Sequence, residues 1–321
     1  MTALADAVRA GDRRSLARAI TLVESTRADH REEAAALLDE LLPATGSATR
    51  VGISGAPGAG KSTFIEALGL NLVDAGHEVA VLAVDPSSTR GGGSILGDKT
   101  RMEQLSRSQH AYIRPSPSKG TLGGVARRTR EAMLVCEAAG FGVVLVETVG
   151  VGQSEVAVAG MVDLFLLLLA PGAGDDLQGV KRGIVELADL VVVNKADGAL
   201  ADLARQTTGD YGNALHLLRP RTDGWSARVR SCSALLGEGI GEVWAAVEEF
   251  MELARTSGGL VARRGEQARD WMWSEVSETL LERLRADPRV RVDVDGLEAD
   301  VVSGRTSPTA AARRLLERFS A

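Results

Sequence analysis

The run Gly55-Ala56-Pro57-Gly58-Ala59-Gly60-Lys61-Ser62 fits the pattern G-x-x-x-x-G-K-[ST]. The chemistry of such a run is phosphate binding. Its glycines let successive backbone N–H groups converge on phosphate oxygens, and the helix that follows adds positive potential at its first turn. Lys61 brings a compact charge for the β- and γ-phosphates, and the Ser62 hydroxyl is an oxygen donor for Mg²⁺. Thr63 opens the helical pattern at 63–75. An apolar strand pattern at 51–54 comes immediately before, so the run has the strand–loop–helix setting that this chemistry requires.

Three further clusters could work with it. Asn194-Lys195-Ala196-Asp197 follows the apolar run 190–193 directly. A carboxylate at Asp197 can accept from guanine N1–H and the exocyclic amine, and adenine offers neither donor on that edge. A site built on such a pair rejects analogues that lack it. Lys195 would lie along the base plane, and Asn194 would tie this loop to the phosphate loop. Glu147-Thr148-Val149-Gly150 ends the apolar run 143–146. An acid there can hold Mg²⁺, and the glycine N–H after it can sense a γ-phosphate. Gln153 is the candidate for orienting an attacking water. The loop after 79–84 carries Asp85-Pro86-Ser87-Ser88 and then Gly91-Gly92-Gly93-Ser94-Ile95-Leu96-Gly97-Asp98-Lys99. Asp85 and Asp98 are acids within reach of a metal, on a glycine-rich segment of the kind that orders around one. The chain has five lysines against 32 arginines, and Lys61, Lys99 and Lys195 stand in these loops. Lys181, with Gln178, lies in a second glycine-rich loop at 171–181. A retained lysine suits a need for a point charge.

These residues need a scaffold that brings loops together. Apolar runs at 51–54, 79–84, 112–114, 143–146, 164–169, 190–193 and 229–231 alternate with helical stretches. Several are apolar at every position, which predicts strands buried on both faces of a parallel sheet covered by helices. The expected fold is therefore α/β, a doubly wound and mostly parallel sheet of the P-loop NTPase kind, with its ligand at the carboxyl ends of the strands. Residues 1–46 read as an N-terminal helical arm, 47–257 as the nucleotide-binding domain and 258–321 as a C-terminal helical arm. In that last arm Met272, Trp273, Val276, Leu280 and Leu284 make one apolar stripe, with Trp271 roughly opposite. Residues 290–297 read as a short hairpin or loop, and 308–319 as a last helix.

Composition narrows the class. Of 321 residues, 45% are hydrophobic and 25% charged, and the net charge is −6. Those are globular proportions, without the basic excess that nucleic acid or an anionic membrane surface would call for. The longest apolar run, 164–170, is too short to span a bilayer, and the N-terminus lacks a signal-peptide core. Two isolated cysteines, Cys136 and Cys232, read as free thiols, so the expected location is the cytoplasm. The four histidines, His30, His77, His110 and His216, are scattered, which argues against a His/Cys metal cluster.

The segments GAPGAGKST, DPSS, GGGSILGDKTRM, ETVGVGQSE and NKAD together resemble the MeaB/ArgK family of P-loop GTPases, of the SIMIBI class. The resemblance covers about 50–250 closely, and the helical arms fit the same layout. It implies GTP/GDP and Mg²⁺ as ligands, with Gly55 to Thr63 on the phosphates. It places Ser62, Asp85, Asp98 and Glu147 at the metal, and Asn194, Lys195 and Asp197 at guanine. Ser233, Ala234 and Leu235 look like a further base-contacting loop, and Lys181 and Gln178 like part of an additional switch. It also implies a homodimer contacted through the C-terminal arm, and a chaperone role. The expected partner is methylmalonyl-CoA mutase or a related cobalamin-dependent mutase, with GTP hydrolysis gating cofactor loading and protecting or reactivating that enzyme. Two alternatives share the phosphate loop. One is an ATP-dependent kinase or ATPase of the ArgK type, and the other a metallochaperone GTPase.

Overall fold

A computed structural model describes residues 2–25, 27–84, 102–115, 122–148, 154–172, 182–216 and 220–320. All seven apolar runs are strands: β1 Thr49–Gly55, β2 Val79–Val84, β3 Ala111–Arg114, β4 Val143–Thr148, β5 Leu164–Leu169, β6 Leu190–Val193 and β7 Arg228–Ser231. They form one sheet in the order β3-β2-β4-β1-β5-β6-β7, and every pairing is parallel. The order places β4 between β1 and β2, so the chain leaves β1 in both directions. The crevice at such a reversal is where open α/β sheets bind ligands.

The strands look featureless in sequence because both faces are covered, yet their side chains still alternate. On β4, Val144 and Val146 enter one core and Val143 and Leu145 the other. On β5, Phe165, Leu167 and Leu169 face the first core, and Leu164, Leu166 and Leu168 the second. The first face is covered by an N-terminal trio, α1 Thr2–Arg9, α2 Arg13–Val23 and α3 Ala28–Leu41, and by later helices. The second is covered by α4 Lys61–Asp74, by α5 Glu103–Arg107 and by a helix at Ile240–Thr256. Helices α6 Leu122–Ala138, α7 Ser154–Ala159, α8 Arg182–Val185, α9 Ala201–Leu215, α10 Ile240–Thr256, α11 Gly259–Ala286, α12 Pro288–Val302 and α13 Pro308–Ser320 complete the order.

Strand β3 is an edge, and α2 closes it. Arg13 donates from Nη1 to the Gln109 carbonyl at 2.8 Å and from Nη2 to the Ala111 carbonyl at 2.5 Å. Carbonyls that would otherwise invite another strand are thus occupied. At the amino ends of the strands sits a cluster of buried charges. Asp163, fully buried before β5, accepts from the Arg50 N–H at 2.9 Å and from Arg264 Nε at 2.8 Å and Nη2 at 2.6 Å. Asp189, before β6, accepts from the Phe165 N–H at 2.9 Å and pairs with Arg263 at 3.3 Å. Arg264 Nη2 also donates to the Ala48 carbonyl at 2.7 Å. The first turns of α11 are thereby fixed to the end of the sheet away from the phosphate loop.

The chain divides into two compact units, 1–267 and 268–321. In the second, α12 and α13 pack together around Val290 and Ala311, joined by an Arg318–Asp293 ion pair at 2.8 Å. The sequence reading of 290–297 as a hairpin or loop is wrong: these residues lie inside α12. The alternation Val290, Val292, Val294 imitates a strand. Pro288 at the first helical turn and the Asp287 cap, whose carboxylate accepts from the Arg289 N–H, start a helix instead. On α11, Met272, Trp273, Val276 and Leu280 are exposed within this chain, and Trp271 is half-buried.

Candidate functional site

Everything identified for phosphate chemistry among the described residues lies at the carboxyl ends of the strands. β1 ends at Gly55, and the phosphate loop runs from Ala56 to Gly60 before α4 begins at Lys61. Gly60 has φ +88°, a left-handed conformation that L side chains resist. A Cβ there would also fall 2.6 Å from Asn194 Nδ2. The residue type is thus fixed by backbone and neighbour at once.

Lys61 Nζ donates to the Gly55 carbonyl at 2.6 Å and reaches the Ala56 carbonyl at 3.4 Å. The ammonium is held over the mouth of its own loop. Burial pushes its pKa below the ordinary lysine value, and the carboxylates of Glu147 and Glu155 push the other way. Ser62 Oγ lies 3.5 Å from Glu147 Oε1, with the Glu147 side chain almost wholly buried at the tip of β4. A hydroxyl and a carboxylate at that spacing are hard oxygen donors of the kind Mg²⁺ takes. Among the described residues no group of three or more His, Cys, Asp or Glu could hold a metal ion by itself.

The loop at 194–197 is joined to the phosphate loop by Asn194, only 2% exposed. Its Nδ2 donates to the Ala59 carbonyl at 3.0 Å. Its Oδ1 accepts from the Ala234 N–H at 3.0 Å and faces Cys232 Sγ at 3.6 Å. One amide therefore ties three segments. The next residue, Lys195, has φ +58°, the one non-glycine positive φ among the described residues. Held strain of that kind collects where a loop serves a ligand. Asp197 accepts a hydrogen bond from the Ser233 hydroxyl, and Ser233 Oγ in turn accepts from the Leu236 N–H at 3.2 Å. Ser233 is buried, Ala234 nearly so, and Leu235 is 78% exposed. Of the three, Ser233 and Ala234 brace the loop, while Leu235 faces outward.

Sequence reasoning missed two partners. Glu155, fully buried at the start of α7, is a second carboxylate whose charge acts on Lys61, opposing the effect of burial on its pKa. Its signal was present, since it closes the segment ETVGVGQSE. Cys232 stands behind Asn194, and burial raises its thiol pKa to about 12, so it remains a neutral S–H. Nothing in its sequence context marks that role. Asp85, Asp98, Gln153, Gln178 and Lys181 lie outside the described residues.

The model of the family described as "Methylmalonyl Co-A mutase-associated GTPase MeaB" matches residues 16–289, which span every loop described above. The chain belongs to the MeaB family of P-loop GTPases. Among its relatives, a putative GTPase of Caulobacter vibrioides is 58% identical over 97% of this chain and 95% of that protein. The mouse methylmalonic aciduria type A homolog, mitochondrial, is 52% identical over 96% of this chain and 77% of that protein. Among solved structures, that of a LAO/AO transport system kinase has a TM-score of 0.78 at 40% identity, covering 100% of this chain and 97% of that one. As a MeaB-family GTPase the chain binds a guanine nucleotide. No helix among the described residues is long and apolar enough to cross a membrane.

Proposed function

We propose that the protein is a GTP-hydrolysing chaperone for a cobalamin-dependent acyl-CoA mutase, methylmalonyl-CoA mutase or a close relative. GTP binding and hydrolysis would gate cofactor loading and protect or reactivate the mutase. The observation that carries the nucleotide part is the Asn194 bridge at 3.0 Å, which joins the loop suited to guanine to the loop suited to phosphate. The partner rests on the family description and on the name of the mouse relative.

In this reading Asp197 accepts from guanine, oriented by the Ser233 hydroxyl, and Lys195 lies along the base. Backbone N–H groups of the phosphate loop and of Ser62 and Thr63 receive the phosphates. Lys61 exchanges the Gly55 and Ala56 carbonyls for phosphate oxygens, a trade of neutral acceptors for charged ones. Ser62 and Glu147 would hold Mg²⁺, with Asp85 and Asp98 as further acids. The ion supplies charge neutralisation at the phosphate oxygens. Gln153 would orient the attacking water, and Gln178 and Lys181 would carry the nucleotide state to the partner. We place the protein in a reducing compartment, the cytoplasm, since both cysteines are buried free thiols. The exposed Met272, Trp273, Val276 and Leu280 support a homodimer formed through α11.

The test is to mix the purified protein with methylmalonyl-CoA mutase and follow complex formation and GTP turnover. Nucleotide-dependent association and altered turnover are expected; no association in any nucleotide state would overturn the partner. The likeness to the solved LAO/AO transport system kinase favours a second reading, that of a kinase. A kinase requires phosphate from ATP to appear on an acceptor rather than in solution.

A further inference from the structure

Three strands deliver the candidate phosphate and metal groups, and besides the backbone ladder a buried side-chain contact joins two of them. Thr148 Oγ1 donates to Ser54 Oγ at 2.9 Å, and both residues are fully buried. Ser54 is the residue before Gly55, the last of β1 ahead of the phosphate loop, and Thr148 is the residue after Glu147. The register pairs Ile53 with Glu147, so Ser54 and Thr148 stand side by side at the next step. On its other flank Thr148 pairs with Val84, the residue before Asp85. Because strand side chains alternate, the hydroxyl pair lies on the face opposite Glu147, whose carboxylate turns toward Ser62 and α4.

We infer that the Thr148–Ser54 pair is a positioning device: it fixes the tip of β4 against the tip of β1 and so sets Glu147 against Ser62. The inference rests on the reading of Ser62 and Glu147 as the Mg²⁺ donors. Two hydrophobic strand tips could pack side by side equally well without a hydroxyl. A hydrogen bond adds a defined distance, and it does so one residue from the group whose place matters. Its cost of being broken is raised by burial, because neither oxygen can turn to water.

The test is the release of a fluorescent GDP analogue, with Mg²⁺ and with EDTA, from the wild type and from Thr148→Val, Thr148→Ser and Ser54→Ala. Mg²⁺ is expected to slow release from the wild type. Thr148→Val keeps shape and removes the donor, so it should lose roughly three- to tenfold of that slowing, the factor one hydrogen bond corresponds to. Release in EDTA should stay within about twofold, because the phosphate loop and the guanine loop are untouched. Thr148→Ser should behave as the wild type, since it restores the hydroxyl. Ser54→Ala should match Thr148→Val, and it decides the matter alone if that variant does not fold. Wild-type Mg²⁺ dependence in both hydroxyl-deleted variants would overturn the inference. So would equal acceleration with and without Mg²⁺, or a Thr148→Ser variant as impaired as Thr148→Val. If the wild type itself shows no Mg²⁺ dependence, the metal reading of Ser62 and Glu147 fails and the inference fails with it.

Discussion

Replacing Asn194 by alanine removes a side chain that joins three segments. The substitution deletes the donor to the Ala59 carbonyl and the acceptor of the Ala234 N–H, both at 3.0 Å. Ala59 is 1% exposed and Ala234 7%, so neither group left behind can turn to bulk water. Each orphaned buried group costs about 1–3 kcal/mol, and two of them about 2–4 kcal/mol once partial relaxation is allowed. The strand ends hold without Asn194, because the Cys232 N–H donates to the Val193 carbonyl at 2.9 Å and the Ala196 N–H to the Cys232 carbonyl at 3.0 Å. The loss therefore falls mainly on the placement of the two ligand loops. It corresponds to GDP affinity weaker by roughly 30- to 1000-fold. Asn194→Asp should be no better, since it keeps the acceptor but sets a carboxylate against the Ala59 carbonyl. Titration calorimetry with GDP, beside a melting curve, reads both effects. An Asn194→Ala protein that binds GDP within about threefold of the wild type would refute the reasoning.

Other consequences are as direct. Gly60→Ala should abolish tight GDP binding in calorimetry while the protein remains folded, because φ is +88° and the new Cβ would meet Asn194 Nδ2 at 2.6 Å. Arg264→Met leaves the buried Asp163 carboxylate without its main cation, a loss of about 3 kcal/mol, and should lower the melting temperature by roughly 6–12 °C. Differential scanning calorimetry checks it, and GDP binding should be little changed because the pair sits at the opposite end of the sheet. Burial raises the thiol pKa of Cys232 from 9.0 to about 12 and that of Cys136 further. Above about pH 9 the unfolded chain releases thiol protons that the folded chain keeps, so unfolded binds fewer protons and stability falls as pH rises toward 12. Denaturant titrations at pH 8 and pH 10 should show that fall. At pH 8 iodoacetamide should label both thiols only after unfolding.

The strands were readable because each is a short apolar run bounded by glycine or polar turns. Even so, their division between two cores was not visible in runs such as Leu164–Leu169, where every residue is apolar. The candidate phosphate and guanine loops stand out in the sequence because the chemistry proposed for them confines residue type over contiguous positions. The Asn194 bridge could be anticipated from the motif alone. Its second and third contacts, to Ala234 and Cys232, join segments about 40 residues apart and leave no local pattern. The same holds for Asp163 and Asp189 with Arg263 and Arg264, which meet only when α11 closes on the sheet. Residues 290–297 show the opposite failure. There a local pattern was present, but a period of two in Val290, Val292 and Val294 lost to a proline and an aspartate cap at the start of α12.

The central claim is that Asp197, set by Ser233 and tied through Asn194 to the phosphate loop, makes this a guanine-nucleotide site. The direct measurement is calorimetric titration of Mg·GDP and Mg·ADP into nucleotide-free protein, repeated with Asp197→Ala. The expected result is strong preference for GDP in the wild type and its loss in the variant, with ADP binding unchanged. Equal binding of ADP and GDP by the wild type, or an undiminished GDP preference in Asp197→Ala, would contradict it.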